Sequence, residues 1–445
     1  MKIKYQGILL ALVISIFSSC GIDNTGGNIV GNNIISSNEI DNVDSSTSLH
    51  YVKAFKIDVN ATSAFAYKVI KIKYTTKDEH DNNVVASGVL VYPNITPAFL
   101  AYYKNLTNKD FSISLIVENH GTIFSNEEAP SNEITTVGKS TQILSVLMTS
   151  KAGFAIAIPD YLGYGESNDK DHPYILKKSS ARVSIDMLKA STRYMIDNNI
   201  LFNGQVYVSG YSEGGYVAMA MAQELEKNYS DDFKLKGIAP MAGPYDIQSL
   251  GKKEVNASRV MEYPAFLAYL TQSYSKAYAD LNLNKIIVYP NTDTFNHFFD
   301  GNLTGGAINV HMGMGNGTTT FGFKSHTADK LWKTSFIDDF NNNANNVFDK
   351  RLEENNVYDW TPKSKINMIH CVDDEIIPFS MAQTAYDKFI QNGASTSNIT
   401  LSPITTSILT QQVDATHPFV HGNCAGTAYG EAVKWFAAIR SGEIK

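Results

Sequence analysis

The chain has 445 residues, of which 43% are hydrophobic and 18% charged, and it contains 24 Tyr and 22 Phe. This composition predicts a globular protein with a large aromatic core and excludes collagen, coiled coil and disorder. The formal net charge is −7 and no run of basic residues occurs, so a nucleic-acid partner is not expected. Three cysteines without a CxxC pair argue against a zinc ribbon or a thioredoxin-like site.

The N-terminal segment has the pattern of an export signal. Lys2 and Lys4 precede an apolar run at 7–17, which is too short to span a membrane, and residues 17–20 (FSSC) resemble a bacterial lipobox. We expect residues 1–19 to be a lipoprotein signal peptide and Cys20 to carry the lipid that anchors the protein in the bacterial cell envelope, at the outer membrane or cell surface. A plain signal peptide cleaved nearby is the alternative.

Residues 20–50 differ in composition from the rest of the chain. The stretch after Cys20 is rich in Asn, Ser, Gly and Thr and has no Lys or Arg. Such a segment buries too little apolar surface to offset its ordering entropy. We therefore predict a disordered tether over 20–50.

Short apolar runs alternate with helical periodicity in the remainder of the chain. The predicted strands lie at 67–76, 84–92, 112–118, 153–159, 205–210, 235–242, 365–372 and 399–404. The predicted helices lie around 183–194, 381–391 and 426–439. This alternation indicates an α/β fold with a mostly parallel sheet and helices on both faces, formed by residues 51–243 and 363–445.

Residues 244–362 interrupt that alternation. A structureless loop of this size is improbable in a compact body, so we predict an inserted, mainly helical cap domain. Its glycine-rich piece at 311–323 lacks the Lys-Ser/Thr ending of a P-loop and has no clear preceding strand. An apolar cluster on a predicted short helix either packs within the cap or lines an acyl site: Met261, Tyr263, Phe266, Leu267, Tyr269 and Leu270.

Residues 210–215 (GYSEGG) contain a GxSxG motif between a predicted strand and a helix of small residues. Turning from strand to helix at a single residue forces Ser212 into strained backbone angles, and the flanking glycines avoid clashes there. Ser212 would be exposed at the tip of the turn, at a helix N-terminus that favours negative charge. We predict Ser212 to be a nucleophile.

A serine nucleophile needs a histidine base and an acid that orients the histidine. After the strand at 365–372, the sequence DDEIIP supplies Asp374 as the acid, with Asp373 as the fallback. Near the C-terminus we predict His421 as the base, with His417 as the alternative. The order Ser, Asp, His is that of α/β-hydrolases.

An oxyanion hole is expected from the loop that follows the strand at 112–118. The sequence NHGT there lets the backbone approach a substrate carbonyl, so we assign the donor N–H groups to Thr122 and to Glu213. His120 is interpreted as a hydrogen-bonded structural residue, and Asp160 as a brace of the turn that follows the next strand.

The motifs HGT at 120, PDYLGYG at 159, GYSEGG at 210, DDEIIP at 373 and HGNC at 421 together resemble the α/β-hydrolase superfamily. Within it, the chain is similar to the secretory lipase family over roughly residues 51–445. The resemblance implies hydrolysis of carboxylic esters by a Ser-Asp-His triad, without metal or organic cofactor. Many relatives have Gln after the nucleophile, where this chain has Glu213.

Two other functions fit the same sequence. A serine peptidase or aminopeptidase would use the same triad on amides, but the cap offers no obvious pair of acids for a free amino group. A non-catalytic lipoprotein that binds a ligand through its cap is the more distant alternative.

Cys371 and Cys424 remain as a pair if Cys20 is lipidated. Cys371 ends the strand that delivers Asp374, and Cys424 lies three residues after His421. Contact between the acid and the base could bring the two Cα atoms within disulfide range. We predict a disulfide between them, with two buried thiols as the alternative.

Overall fold

The structure, a computed structural model, describes residues 33–256, 261, 263–314, 327–409 and 419–444. The predicted signal peptide, Cys20 and the alternative base His417 lie outside the described residues. So does most of the glycine-rich segment.

Nine strands form a single mixed sheet in the order β1-β2-β3-β5-β4-β6-β7-β8-β9. Neighbours among β1, β2, β3 and β5 pair antiparallel, and the neighbours from β5 to β9 pair parallel. The strands are β1 Ile34–Val43, β2 Ala66–Lys77, β3 Asn83–Asn94, β4 Ile113–Asn119, β5 Ala155–Pro159, β6 Phe202–Tyr211, β7 Lys234–Met241, β8 Lys365–Cys371 and β9 Ile399–Ile404. The predicted α/β fold with a mostly parallel sheet is confirmed.

The α-helices fill the connections between the strands. They are α1 Ser45–Ala54, α2 Pro97–Thr107, α3 Pro130–Glu133, α4 Ser140–Ser145, α5 Lys177–Asp197, α6 Glu213–Asn228, α7 Ile247–Glu254, α8 Pro264–Ala277, α9 Leu283–Ile286, α10 Thr292–His297, α11 Gly305–His311, α12 Thr334–Asn342, α13 Val347–Glu354, α14 Ser380–Gln391 and α15 Val420–Ser441. Between β7 and β8 the described residues form helices α7 to α13 and no named strand.

Alternate residues of the central strands face two separate cores. In β6, Val206 and Val208 pack with α5 and α6, whereas Tyr207 between them packs on the opposite face against Phe436 of α15. This period of two, with apolar residues on both faces, is what a strand covered by helices on both sides requires. Helices α7 to α13 contribute to the same core as α5 and α6.

The predicted tether is wrong from Ile34 onward. Residues of β1, an edge strand of the sheet, pair with β2. Asp44 then caps α1 by accepting hydrogen bonds from the Ser46 and Thr47 N–H groups at 2.8 and 2.9 Å. An edge strand gains its pairing from the backbone, so its outward side chains can stay polar. The polar composition of this segment therefore does not indicate the strand β1.

Candidate active site

Ser212 occupies the turn between β6 and α6. Its backbone angles are φ 61° and ψ −121°, a conformation that residues other than glycine rarely adopt. A Cβ added to Gly214 would overlap the Asn119 carbonyl, and one added to Gly210 would overlap the Gly214 carbonyl. The two glycines therefore permit the strained turn that presents the Ser212 hydroxyl.

His421 lies at the start of α15 and connects Ser212 to Asp374. Its Nε2 is 2.9 Å from Ser212 Oγ, and its Nδ1 is 2.7 Å from Asp374 Oδ2. With Nδ1 protonated, the imidazole can accept the serine proton on Nε2 while the carboxylate faces the resulting positive charge. The three side chains can thus activate a hydroxyl for attack on a carbonyl.

Asp374 is buried and fully hydrogen-bonded, whereas Asp373 is exposed. Asp374 Oδ1 accepts the N–H groups of Ile376 and Ile377 at 3.0 and 2.8 Å. Burial alone would raise the pKa of Asp374, but the neighbouring His421 and a hydrogen bond from His370 outweigh it and hold that pKa below its usual range. The acid stays ionised.

Sequence reasoning missed His370, a second histidine beside the acid. Its Nε2 lies 3.3 Å from Asp374 Oδ2 and 2.9 Å from the Ile377 carbonyl oxygen. Its Nδ1 is buried without a partner in the part of the chain that the structure describes. Both oxygens can accept a hydrogen bond from Nε2, and no sequence motif signals this residue.

Glu375 was also missed, although it belongs to the DDEIIP motif. Its carboxylate accepts the N–H groups of Val420 and His421 at 3.1 and 3.2 Å, and it accepts the Tyr263 hydroxyl at 3.1 Å. A carboxylate at a helix N-terminus satisfies N–H groups that have no partner within the helix. Glu375 thereby fixes the start of α15, which carries His421.

Glu118 joins three of these elements beneath the Ser212 turn. Its carboxyl group in β4 accepts the hydroxyl of Ser209 in β6 and, at 2.5 Å, the hydroxyl of Tyr429 in α15. Burial raises the pKa of Glu118 to about 8, although the two hydroxyl bonds oppose the shift. Burial thus favours the protonated carboxyl, and the two hydroxyl bonds tie β4 and β6 to α15.

The predicted oxyanion donors lie together beside Ser212. Thr122 and Glu213 line the same cavity as Ser212 and His421. Glu213 is the first residue of α6, so its N–H has no partner within the helix. The Thr122 hydroxyl is 3.0 Å from the Tyr174 hydroxyl. Both N–H groups thus belong to residues that line the cavity beside Ser212.

His120 and Asp160 have the contacts of structural residues. The His120 ring stacks on Tyr161 at 4.0 Å between centroids, and its Nδ1 lies 2.8 Å from the Gly121 carbonyl oxygen. Asp160 accepts the Ser87 hydroxyl at 2.5 Å and the Ser131 N–H at 2.8 Å.

The cavity above Ser212 has a volume of about 90 Å³. Four members of the predicted apolar cluster line it: Tyr263, Phe266, Leu267 and Leu270. Met261 and Tyr269 are buried in the core instead. Glu254 and Glu375 also line the cavity, so an acidic pair is present there, although the predicted cap supplies only Glu254.

Cys371 and Cys424 are joined by a disulfide, with their Cα atoms 6.2 Å apart. The bond links the end of β8 to the first turns of α15. It therefore connects the segment that carries Asp374 to the helix that carries His421.

No group of three or more His, Cys, Asp or Glu side chains within the described ranges could hold a metal ion. No described helix is both long enough and apolar enough to cross a membrane.

The fold is similar to solved structures of bacterial and fungal hydrolases. The rice cell wall degrading esterase LipA from Xanthomonas oryzae is 21% identical, with a TM-score of 0.74 over 93% of this chain and 99% of that chain. A hydrolase candidate from Legionella pneumophila is 20% identical, with a TM-score of 0.73 over 92% and 98%. Candida antarctica lipase A is 14% identical, with a TM-score of 0.57 over 86% and 78%.

A comparison with curated protein sequences found no match. A family model, in contrast, matches most of the chain. The Secretory lipase family model matches residues 128–438, which include Ser212, Asp374 and His421. The chain therefore belongs to the Secretory lipase family and is an ester-hydrolysing enzyme of the α/β-hydrolase fold.

Proposed function

We propose that the enzyme is a serine carboxylic-ester hydrolase that forms an acyl-enzyme on Ser212. The observation that carries the proposal is the continuous hydrogen-bonded chain from Ser212 through His421 to Asp374. Ser212 Oγ attacks the ester carbonyl while His421 Nε2 takes its proton, and the same proton then goes to the departing alcohol. Water deprotonated by His421 attacks the acyl-enzyme and releases the acid.

The N–H groups of Glu213 and Thr122 would stabilise the oxyanion in both steps. Thr122 lies in the loop that follows β4, and Glu213 lies directly after Ser212 at the N-terminus of α6. Removing one such donor costs about 3 to 4 kcal/mol of transition-state stabilisation in comparable enzymes. Because the donors are backbone groups, a chain with Glu rather than Gln at position 213 still has the donor N–H.

Active-site labelling with a fluorophosphonate tests the nucleophile. Wild-type protein should be labelled once, and the modified peptide should map to Ser212. Ser212→Ala should lose both labelling and ester hydrolysis, whereas Ser395→Ala, at an exposed serine, should keep both. Labelling of Ser212→Ala would refute the assignment.

Amide substrates with a free amino group are the second candidate. The carboxylates of Glu254 and Glu375 in the cavity favour them, because a carboxylate attracts an ammonium group. Both glutamates have partners, and family membership favours esters. Comparing the hydrolysis rates of p-nitrophenyl esters and aminoacyl amides distinguishes the two candidate activities. We expect the esters to be hydrolysed faster.

Residues 244–362 would act as a cap over the cavity. Tyr263 at the start of α8 bonds Glu375 beside His421, and Phe266, Leu267 and Leu270 supply an apolar wall. We expect this wall to hold the acyl chain and to favour acyl groups longer than acetyl. Esters of plant cell walls belong in the substrate panel, because LipA is described as a cell wall degrading esterase.

Membership in a secretory family suggests export. The finer proposal is that residues 1–19 are removed and Cys20 is lipidated, with the enzyme anchored in the cell envelope. Wild-type protein should then partition with membranes and take up labelled palmitate, and Cys20→Ser should do neither. Soluble, unlabelled wild-type protein would indicate an ordinary signal peptide.

A further inference from the structure

Glu213 and His172 form a buried pair that the proposed proton transfers do not use. Glu213 follows Ser212 directly and its side chain is 2% exposed, while His172 is 5% exposed. His172 Nε2 lies 2.9 Å from Glu213 Oε1. The residue whose N–H is a predicted oxyanion donor thus also carries a buried carboxyl group.

The hydrogen bonds determine how many protons the pair holds. His172 Nδ1 lies 2.8 Å from the Leu162 carbonyl oxygen, which can only accept, so Nδ1 carries a proton. A neutral ring protonated on Nε2 alone would instead set its Nδ1 lone pair against that carbonyl. A second proton must therefore lie between Nε2 and the carboxyl oxygen of Glu213. Whichever atom holds it, the pair has no net charge.

Among the described residues, His172 is the basic side chain that bonds Glu213, and no described lysine or arginine does so. Tyrosine rings surround the histidine at 5.1 to 6.0 Å: Tyr161, Tyr164, Tyr174 and Tyr269. Burial, reinforced by Glu213, keeps the pKa of Tyr161 and Tyr174 well above the usual range, so these phenols stay neutral. The electrical neutrality of this region depends on His172.

The loop that carries His172 also contacts the other predicted donor residue. Tyr174 lies two residues further on, and its hydroxyl is 3.0 Å from the Thr122 hydroxyl. The loop therefore bonds the side chains of both Glu213 and Thr122.

We infer that His172 is a positioning residue that cancels the charge of Glu213 behind the oxyanion hole. An uncompensated carboxylate there would repel the oxyanion and weaken its stabilisation by the N–H groups of Glu213 and Thr122. The inference rests on the proposed function, because it concerns the same oxyanion hole.

Steady-state hydrolysis of a short p-nitrophenyl ester tests the inference. His172→Phe should lower kcat by about 100-fold, the scale of losing one oxyanion donor, with a much smaller change in KM. Adding Glu213→Gln to His172→Phe removes the carboxylate and its repulsion of the oxyanion, so it should restore kcat at least about tenfold. Loss of packing alone would not be rescued by a second substitution. Tyr269→Phe, which removes a hydroxyl from the same cluster without touching Glu213, is the matched control and should retain kcat.

Thermal unfolding confirms that each variant is folded before its kinetics are compared. If His172→Phe does not accumulate as folded protein, the same comparison is made between His172→Gln and His172→Gln with Glu213→Gln. Wild-type kcat in the single variant, or no rescue in the double variant, overturns this inference while leaving the proposed function in place. A wild-type enzyme that neither reacts with the fluorophosphonate nor hydrolyses the ester overturns both.

Discussion

The disulfide between Cys371 and Cys424 should contribute a large part of the stability of the active-site region. Its two cysteines are separated by 53 residues, and both are fully buried. Cross-linking a loop of this length removes about 4 kcal/mol of chain entropy from the unfolded state at 25 °C. We therefore expect Cys371→Ala with Cys424→Ala to lower the free energy of unfolding by up to about 4 kcal/mol.

Equilibrium denaturation of the oxidised protein measures this difference. Dithiothreitol should lower the free energy of unfolding of the wild type and leave that of the double variant unchanged. The double variant is therefore the control for effects of the reductant other than reduction of this disulfide. Non-reducing peptide mapping should recover Cys371 joined to Cys424. A free energy of unfolding within about 1 kcal/mol of wild type, well below the entropy figure, would refute the reasoning.

Three further predictions concern the acid, a buried carboxyl and the cavity. Asp374→Asn should lower kcat by about 10⁴-fold, whereas Asp373→Asn, at an exposed side chain, should lower it far less; the reverse ranking in ester kinetics would move the acid to Asp373. The pKa of Glu118 is raised from 4.5 to about 8, so its contribution to stability is complete below pH 4.5 and is lost as pH rises through about 8. Glu118→Gln should flatten this decline in melting temperature, and an unchanged slope would contradict it. Leu267→Ala should raise KM by about tenfold for long acyl esters and leave acetyl esters little affected; a chain-length profile that does not change would show that this side chain does not hold the acyl group.

Local sequence determined the parts of this protein that depend on neighbouring residues. The turn at Ser212 could be predicted because a strand, two glycines and a small-residue helix adjoin it within a few residues. The strands β4 to β8 could be predicted because burial on both faces favours a largely apolar run, as in Ala155–Pro159. The family motifs extended this to the acid and the base.

Tertiary structure decided the contacts between distant segments. His421 lies 209 residues from Ser212 and 47 from Asp374 in sequence, so the choice of base rests on motif resemblance until the fold brings the three side chains together. His172 has no local signal, because the carboxylate beside it, that of Glu213, lies 41 residues away in sequence. His370 is in the same segment as Asp374, but no motif marks it. The strand β1 was missed for the same reason, since its backbone partner β2, rather than its own polar side chains, makes it a strand.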